Sequence, residues 1–455
     1  MILTAAQIAD LSRTGDPIRT FLDVYTFCAS RYTEIHNLLR TSEDEYSEQA
    51  SESRRVLAIG EAPALKWADE RQSMISGIAL ITSLSQHIAS QPALRLLAQS
   101  KPYRTSDSFD AKPYWLAPNR PSPLTAAIGR LPRTRSQLHS SLQRYHQPLL
   151  VTPGELDEWT LTRKPANPDL ENWLNLRLKG GEFRVAVSPL TRGAEIQGLS
   201  RPRSAPQPPH EFHLTSIGPA SAQIAALQSV LTLACERRVA ILVLPELRMP
   251  PYLLDAAREF LIRQAVTDRQ GLLLVAAGSW HIDESEQRFN RCMVIDRRGE
   301  DVWTHDKLVE FEITARNVAD SPDAYSAIGI GPGGGIEGIS RGRELQFYDS
   351  GIGRLAVAIC VGFFSPDVRR LIETSGVGLF LVPAMTPSIT AIEECSAALV
   401  HNQHAFTLAA NCGRIGPQAP SFCRWPASRD NIRRLDGDKI LLTLDLNNPS
   451  MYAID

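Results

Sequence analysis

Hydrophobic residues along the chain follow one rhythm before about residue 100 and another after about residue 181. In the first stretch they recur every three to four positions, the period of an amphipathic helix. Asp16-Pro17 reads as an N-cap followed by proline at the first helical position. After it Ile18, Phe21, Leu22, Tyr25, Cys28, Tyr32, Ile35 and Leu39 fall on one face. Met74, Ile78, Ile81, Leu84 and Ile88 mark a second helix around residues 65–90, and residues 93–99 a short third. The pattern predicts a mainly helical N-terminal domain over residues 1–100, whose simplest reading is a small bundle carrying no chemistry.

After Gly181 short, almost wholly apolar runs alternate with helical ones. The runs are 183–187 (FRVAV), 239–244 (VAILVL), 272–277 (LLLVAA), 292–295 (CMVI), 355–360 (LAVAIC), 378–382 (GLFLV) and 406–410 (FTLAA). Helices fit residues 220–237, 252–267, 366–374 and 389–404. Ser365-Pro366 opens one of them as N-cap and first residue, and Gly376 closes it. Strands apolar on both faces belong to sheets covered on both sides. Residues 181–455 are therefore expected to form a layered α/β domain.

Residues 101–180 fit neither rhythm. Prolines stand at 102, 113, 118, 121, 123, 132 and 148, and residues 101–147 hold eight Lys/Arg against two Asp, a net of +6. Tyr103, Tyr114 and Trp115 are interleaved. The expected role is a proline-rich basic connector, with a short helix over 170–178 closed by Gly180-Gly181. The alternative is an arm that tracks phosphates or docks on a protein partner.

Composition narrows the field. At 455 residues the chain exceeds one ordinary core, so more than one domain is expected. With 43% hydrophobic and 22% charged residues and a net charge of -2, nothing pulls the whole chain toward nucleic acid or a membrane. No apolar run is long enough for a membrane span, and the first residues do not read as a secretory signal. The seven cysteines are scattered singly with no CxxC pair, which argues against zinc ligation and a disulfide framework. The expectation is a reduced, cytoplasmic protein without metal or cofactor.

Three places are poorly explained by packing. At 243–247 a buried strand runs into Pro245 and then Glu246, and active groups of α/β sheets gather beyond carboxyl ends of strands. A carboxylate there can serve as a general base. At 303–308 Lys307 follows a strand near a turn, where an ammonium can meet a developing oxyanion. At 355–366 Cys360 ends an apolar strand and precedes a Gly-containing turn and a helix, the arrangement of a nucleophile elbow. Taken singly, each has a bland reading: a capping carboxylate, a surface lysine, a core cysteine. Cys235, Cys292, Cys395, Cys412 and Cys423 are read as core cysteines. Taken together, the three make a thiol nucleophile with a carboxylate base and a cationic stabiliser.

The order Glu, Lys, Cys resembles the nitrilase, or carbon–nitrogen hydrolase, superfamily. The resemblance rests on ILVLPEL, on RFNRCMVIDRRGEDVWTHDKL with Asn290, Gly299 and Lys307, and on GRELQFYDSGIGRLAVAIC. It continues in GVGLFLVPA, in HNQHAFTLAANCGR with Asn402, Gln403, Asn411 and Gly413, and in DGDKILLTLDL; with FRVAVSPL at its start it spans roughly residues 182–447. It implies an αββα sandwich that commonly pairs into homo-oligomers. It also implies hydrolysis of a small amide, nitrile or carbamoyl compound through a thioester on Cys360, with Glu246 as base and Lys307 as stabiliser. Relatives usually carry a second site glutamate between Lys and Cys. Glu310, Glu312 and Glu337 are the candidates here, and spacing back from Cys360 favours Glu337. Relatives also place Tyr or Trp and then an acidic residue after the cysteine, where this chain has Val361-Gly362.

Phe363, Phe364, Arg414 and Trp425 are expected near the pocket from position alone. The run 329–335 (GIGPGGG) reads as a loop over the site rather than a phosphate cradle, since no helix follows it. Two alternatives to the hydrolase remain. One is an acyl transferase or ammonia-delivering glutaminase half. The other is a catalytically impaired nitrilase-like scaffold that binds a protein or nucleic-acid partner through the N-terminal region.

Overall fold

The computed structural model describes residues 16–39, 42–58, 69–104, 113–118, 149–156, 158–164, 167–190, 196–202, 208, 210–267, 271–320, 322–326, 328–412, 420–426, 431–435, 439–446, 448 and 452–455. Two compact units are distinguished by their internal contacts: residues 1–120 with 133–158, and residues 121–132 with 159–455.

The described helices of the first unit are Pro17–Ser30, Tyr32–Leu39, Glu43–Ala58, Glu70–Ser90 and Pro92–Ser100. Asp16 Oδ1 accepts the Ile18 and Arg19 amides at 2.9 and 3.2 Å, which satisfies amides left unpaired at a helix start. Ile18, Phe21, Leu22, Cys28, Ile35 and Leu39 share one core with Ile78, Ile81, Leu84 and Ile88. The helix Glu43–Ala58 has no place in the apolar pattern because its buried face is narrow and small, with Ala50 and Ser53 turned inward. Within the stretch expected to be a connector, β1 (Tyr103–Arg104), β2 (Pro113–Pro118) and β3 (Leu149–Pro153) form an antiparallel sheet, followed by the short β4 (Glu155–Leu156). Leu116 and Val151 join the helical core, so these strands gain from burial what a solvated arm would not. Residues 105–112 and 119–148, which hold most of the basic arm, lie outside the described residues.

In the second unit one sheet runs in the order β12 (Asp301–Asp306), β11 (Gln287–Asp296), β10 (Leu274–Glu284), β9 (Val239–Val243), β6 (Arg184–Val187), β21 (Leu442–Asp445) and β22 (Tyr452–Ile454). A second runs β20 (Ile432–Leu435), β19 (Ser421–Arg424), β18 (Phe406–Asn411), β17 (Leu379–Ala384), β16 (Gly353–Val357), β15 (Glu344–Ser350) and β5 (Trp159–Lys164). The sheets pack face to face, β9 and β10 against β17, and β6 and β9 against β18. The helix Ala220–Glu236 packs on β9, and Thr390–Gln403 on β18. This explains why β9 and β17 are buried at every position whereas β12 alternates: the former have a sheet on one side and a helix on the other. A smaller sheet of β13 (Glu312–Ile313), β14 (Gly335–Glu337), β8 (His210–Ile217) and β7 (Ile196–Pro202) has no counterpart in the sequence expectations. Its strands are short or mix polar residues into both faces, so their periodicity is faint.

One irregularity matters for the site. The pairing of β10 with β11 shifts between Ala276 and Ser279, and Gly278 sits in the bulge at φ +64°. A Cβ there would fall 2.2 Å from the Pro245 carbonyl oxygen. The bulge lets the Pro245–Met249 turn lie against β10, where Ser279 Oγ accepts the Leu247 amide at 3.2 Å and the Ser279 carbonyl accepts the Met249 amide at 3.3 Å. Gly278→Ala is expected to cost roughly 2 kcal/mol or more in a denaturant titration. Unchanged stability would contradict this close approach.

Candidate active site

Each candidate side chain follows from where its strand ends. β9 is followed by Leu244-Pro245-Glu246, and the turn is fixed by Leu247 at φ +53°. β12 is followed at once by Lys307, whose amide donates to the Asn290 carbonyl at 2.9 Å and whose carbonyl accepts the Gly342 amide at 2.8 Å. β16 and the residues after it reach Cys360 at φ +46° and ψ −114°, a strained backbone for a non-glycine residue. The Cys360 amide is held by the Pro383 carbonyl at 2.9 Å, beyond the matched ends of the parallel strands β16 and β17. Val361–Phe364 is a short helical turn, and Ser365 Oγ then accepts the Asp367 amide at the start of Pro366–Thr374, as the sequence suggests.

These ends converge. Lys307 Nζ lies 2.8 Å from Glu246 Oε1 and 2.6 Å from Glu337 Oε2, with all three side chains at most 2% exposed. Asn290 Nδ2 donates to both carboxylates, at 2.9 Å to Glu246 Oε1 and 2.8 Å to Glu337 Oε1. The Met385 amide donates to Glu246 Oε2 at 3.0 Å and the Phe311 amide to Glu337 Oε2 at 3.1 Å. His281, paired across the ladder with Asn290, completes the set. Its Nδ1 accepts the Leu214 amide at 2.9 Å, so Nε2 carries the hydrogen and donates to Glu337 Oε1 at 3.0 Å. Glu246, Lys307 and the Met385 amide stand close enough to the Cys360 thiol to act on its ionisation.

The electrostatics follow from burial set against pairing. Burial pulls the Lys307 ammonium down, but Glu246 and Glu337 outweigh it and hold its pKa above the usual range. Burial pushes the Glu337 carboxyl up, yet Lys307 and His281 hold it well below the usual range. For Cys360 burial raises the thiol, Glu246 raises it further, and Lys307 offsets only part. The resting cysteine is therefore a neutral thiol.

Of the three candidates for the second glutamate, Glu337 alone stands in this cluster. Glu310 pairs with Arg341 and Glu312 is exposed. Glu246, Lys307 and Glu337 line a pocket of about 700 Å³, counting space open to solvent, with Phe212, Leu247, Phe311, Met385 and Thr386 among their neighbours. Cys360 is 2% exposed and is not part of that lining, although Glu246 and Met385, which act on its thiol, are. Phe363 does not line it either; it packs edge-on against Phe380 at 5.4 Å. Phe364 and Trp425 are also absent from the lining, and Arg414 lies outside the described residues. A Cβ on Gly362 would meet Leu308 at 3.7 Å, an ordinary contact, so sterics do not demand glycine there. In the run 329–335 Gly335 begins β14, so the loop delivers Glu337 to the cluster.

His281 and Arg248 were not among the expected site residues. His281 had a signal, a polar residue continuing a buried apolar strand. Arg248 is fully buried, and its Nε donates to Cys412 Sγ at 3.2 Å under the Glu246 turn. Among the described residues no group of three or more His, Cys, Asp or Glu could hold a metal ion, and no helix is long and apolar enough to cross a membrane.

Lys307→Met would leave two buried carboxylates uncompensated and is expected to lose roughly 3–5 kcal/mol at neutral pH in denaturant titrations. In the wild type the share of stability from Glu337 is present above its ordinary value of 4.5 and fades as pH falls. In the variant burial dominates and raises the Glu337 carboxyl, so stability should recover on acidification toward pH 5 and fall as pH rises. A variant as stable as the wild type, with the same pH dependence, would contradict the shared-cation geometry.

Residues 215–415 match the family model described as carbon–nitrogen hydrolase. No curated protein matches the chain. Among solved structures, Nit3 from Saccharomyces cerevisiae, a member of branch 10 of the nitrilase superfamily, is 14% identical, with 59% of this chain and 91% of that one covered and a TM-score of 0.39. A mutant amidase from Nesterenkonia sp. AN1 in complex with butyramide is 17% identical, covering 60% of this chain and 93% of that one, TM-score 0.38. An amidase from Nesterenkonia sp. is 18% identical, covering 56% of this chain and 91% of that one, TM-score 0.36. Over residues 215–415 the C-terminal part of this chain is similar to the carbon–nitrogen hydrolase family.

Proposed function

We propose that the C-terminal unit hydrolyses a non-peptide carbon–nitrogen bond, with Cys360 as nucleophile, Glu246 as general base and acid, and Lys307 as electrostatic stabiliser. The observation that carries this reading is one ammonium between two buried carboxylates, with Glu246 and Lys307 both acting on the Cys360 thiol. In the first step Glu246 takes the thiol proton as sulfur bonds to the amide carbon. The carbonyl oxygen becomes an oxyanion, and Lys307, which commits hydrogens to both carboxylates, has a third for it. Glu246 then gives its proton to the departing nitrogen, which leaves as ammonia or an amine and forms a thioester. A water deprotonated by Glu246 attacks the thioester, the carboxylate product leaves, and the thiol is restored.

Glu337 touches neither sulfur nor Glu246. Its four hydrogen-bond donors make it a positioning residue for Lys307: it holds the ammonium toward the reaction centre and keeps it charged. The strained Cys360 backbone fits a sulfur presented at a strand end. The second reading, a nitrilase-like scaffold with a partner on the N-terminal region, draws support from Val361-Gly362 and from the thiol's burial.

Ammonia release from a panel of amides, nitriles and carbamoyl compounds tests the proposal. Cys360→Ala should abolish it. Glu246→Gln should lower kcat by at least about a hundredfold while the circular dichroism spectrum is retained. Turnover unaffected by Cys360→Ala, or none with any compound, would favour the scaffold.

A further inference from the structure

The Glu246 carboxylate is held from two sides. Lys307 and Asn290 reach one oxygen, and the Met385 amide reaches the other at 3.0 Å. The first two are side chains on paired strands or at their ends. The third is a backbone group just past a ladder: the pairing of β17 with β18 ends at Ala384 and Asn411, one residue before Met385. The direction of that amide therefore needs another support.

Asn411 supplies it. Its Oδ1 accepts the Thr386 amide at 2.9 Å, and its Nδ2 donates to the Thr386 carbonyl at 3.1 Å. One planar group thus grips both backbone polar groups of the residue that follows Met385. With the ladder on one side and this grip on the other, the backbone of Met385 is bracketed. Asn411 is itself 1% exposed, and Ser421 Oγ accepts its amide at 2.9 Å and donates to its carbonyl at 3.2 Å. Thr386 Oγ1 donates to the Ser388 carbonyl at 2.8 Å, which closes the turn ahead of the helix Thr390–Gln403. The next residue of the strand end, Cys412, donates through Sγ to the Glu246 carbonyl at 3.6 Å. The end of β18 therefore acts on Glu246 through both its backbone and its carboxylate.

The Met385 amide has a second target. It lowers the Cys360 thiol against the effect of burial, so one N–H acts on both partners of the proposed proton transfer. Met385 and Thr386 also line the pocket.

Resting on the hydrolase reading above, we infer that Asn411 is a positioning residue of this site: through the Thr386 backbone it aims the Met385 amide at Glu246 and Cys360. It works through that backbone rather than on the reacting atoms.

Hydrogen exchange and alkylation of the full chain test this together. Exchange would be followed by mass spectrometry on a peptide spanning residues 380–392, and Cys360 alkylation by limiting iodoacetamide from pH 6 to 9. Asn411→Ala should speed exchange of the Met385 and Thr386 amides at least about tenfold. It should slow Cys360 alkylation at pH 7 by roughly tenfold and displace its pH profile upward. General loosening of the fold would do the opposite, because a buried thiol reacts faster when uncovered. Asn411→Asp has the same shape and, while ionised, keeps the acceptor but loses the donor; its effects should be smaller and in the same direction. Exchange unchanged in these variants, or Cys360 reacting as fast as or faster than in the wild type, overturns the inference. Glu246→Gln runs alongside. Slow alkylation in the Asn411 variants beside a wild-type rate in Glu246→Gln would sink Glu246 as base and leave this inference. A slow Glu246→Gln beside unchanged Asn411 variants would do the reverse.

Discussion

Much of the C-terminal unit is arranged around one ammonium buried between two carboxylates. Lys307 without Glu246 and Glu337 would be a bare charge in the core, and either carboxylate without Lys307 would be another. The three are held by the ends of elements far apart in sequence, which meet only when both large sheets and the small one are in place. Asn290 on β11 spans the two carboxylates, and His281 on β10 reaches the outer one. The same geometry sets the state of Cys360. Burial and Glu246 keep it a thiol at rest. A buried polar network of this kind is costly if one member is lost, so it also enforces a single arrangement of the strands that carry it.

The fold supplies rigidity where the chemistry needs it and irregularity where a strand must release a side chain. β9 and β17 are packed on both faces and offer fixed carboxyl ends. The bulge at Gly278 makes room for the turn that aims Glu246, and the positive φ of Cys360 immediately precedes the helical turn Val361–Phe364. The small sheet then brings in Glu337 on β14 and the apolar walls together, so one element contributes to both the charge network and the pocket.

How much of this could be read from the residues depended on how each feature writes itself into the chain. Apolar runs such as VAILV and LFLVPA announce buried strands, and a Pro-Glu or a cysteine at their ends stands out against the run. Glu337 was harder: Glu310 and Glu312 lie closer to Lys307 in sequence, and only the pairing of β14 with β8 brings Glu337 beside it. Phe363 and Trp425 illustrate the opposite failure, since nearness in sequence to Cys360 or to a late strand says nothing about which side of a sheet a ring faces. The pocket walls on β7 and β8 were invisible because those strands alternate weakly. The Met385 and Phe311 amides were invisible because backbone donors have no letter in a sequence. In the first unit the helix Glu43–Ala58 was hidden by its charge.

The account stands on Cys360 being chemically unlike the other buried cysteines. All seven are free and buried, and Cys28, Cys292 and Cys423 are raised by burial with no carboxylate beside them. Limiting iodoacetamide on the native protein at neutral pH, followed by peptide mass spectrometry, compares them directly. The account predicts that Cys360 is modified well ahead of those three and that Glu246→Gln removes the difference, because an amide cannot take the thiol proton. Equal modification of all four, or a Cys360 that stays silent while the others react, would contradict it.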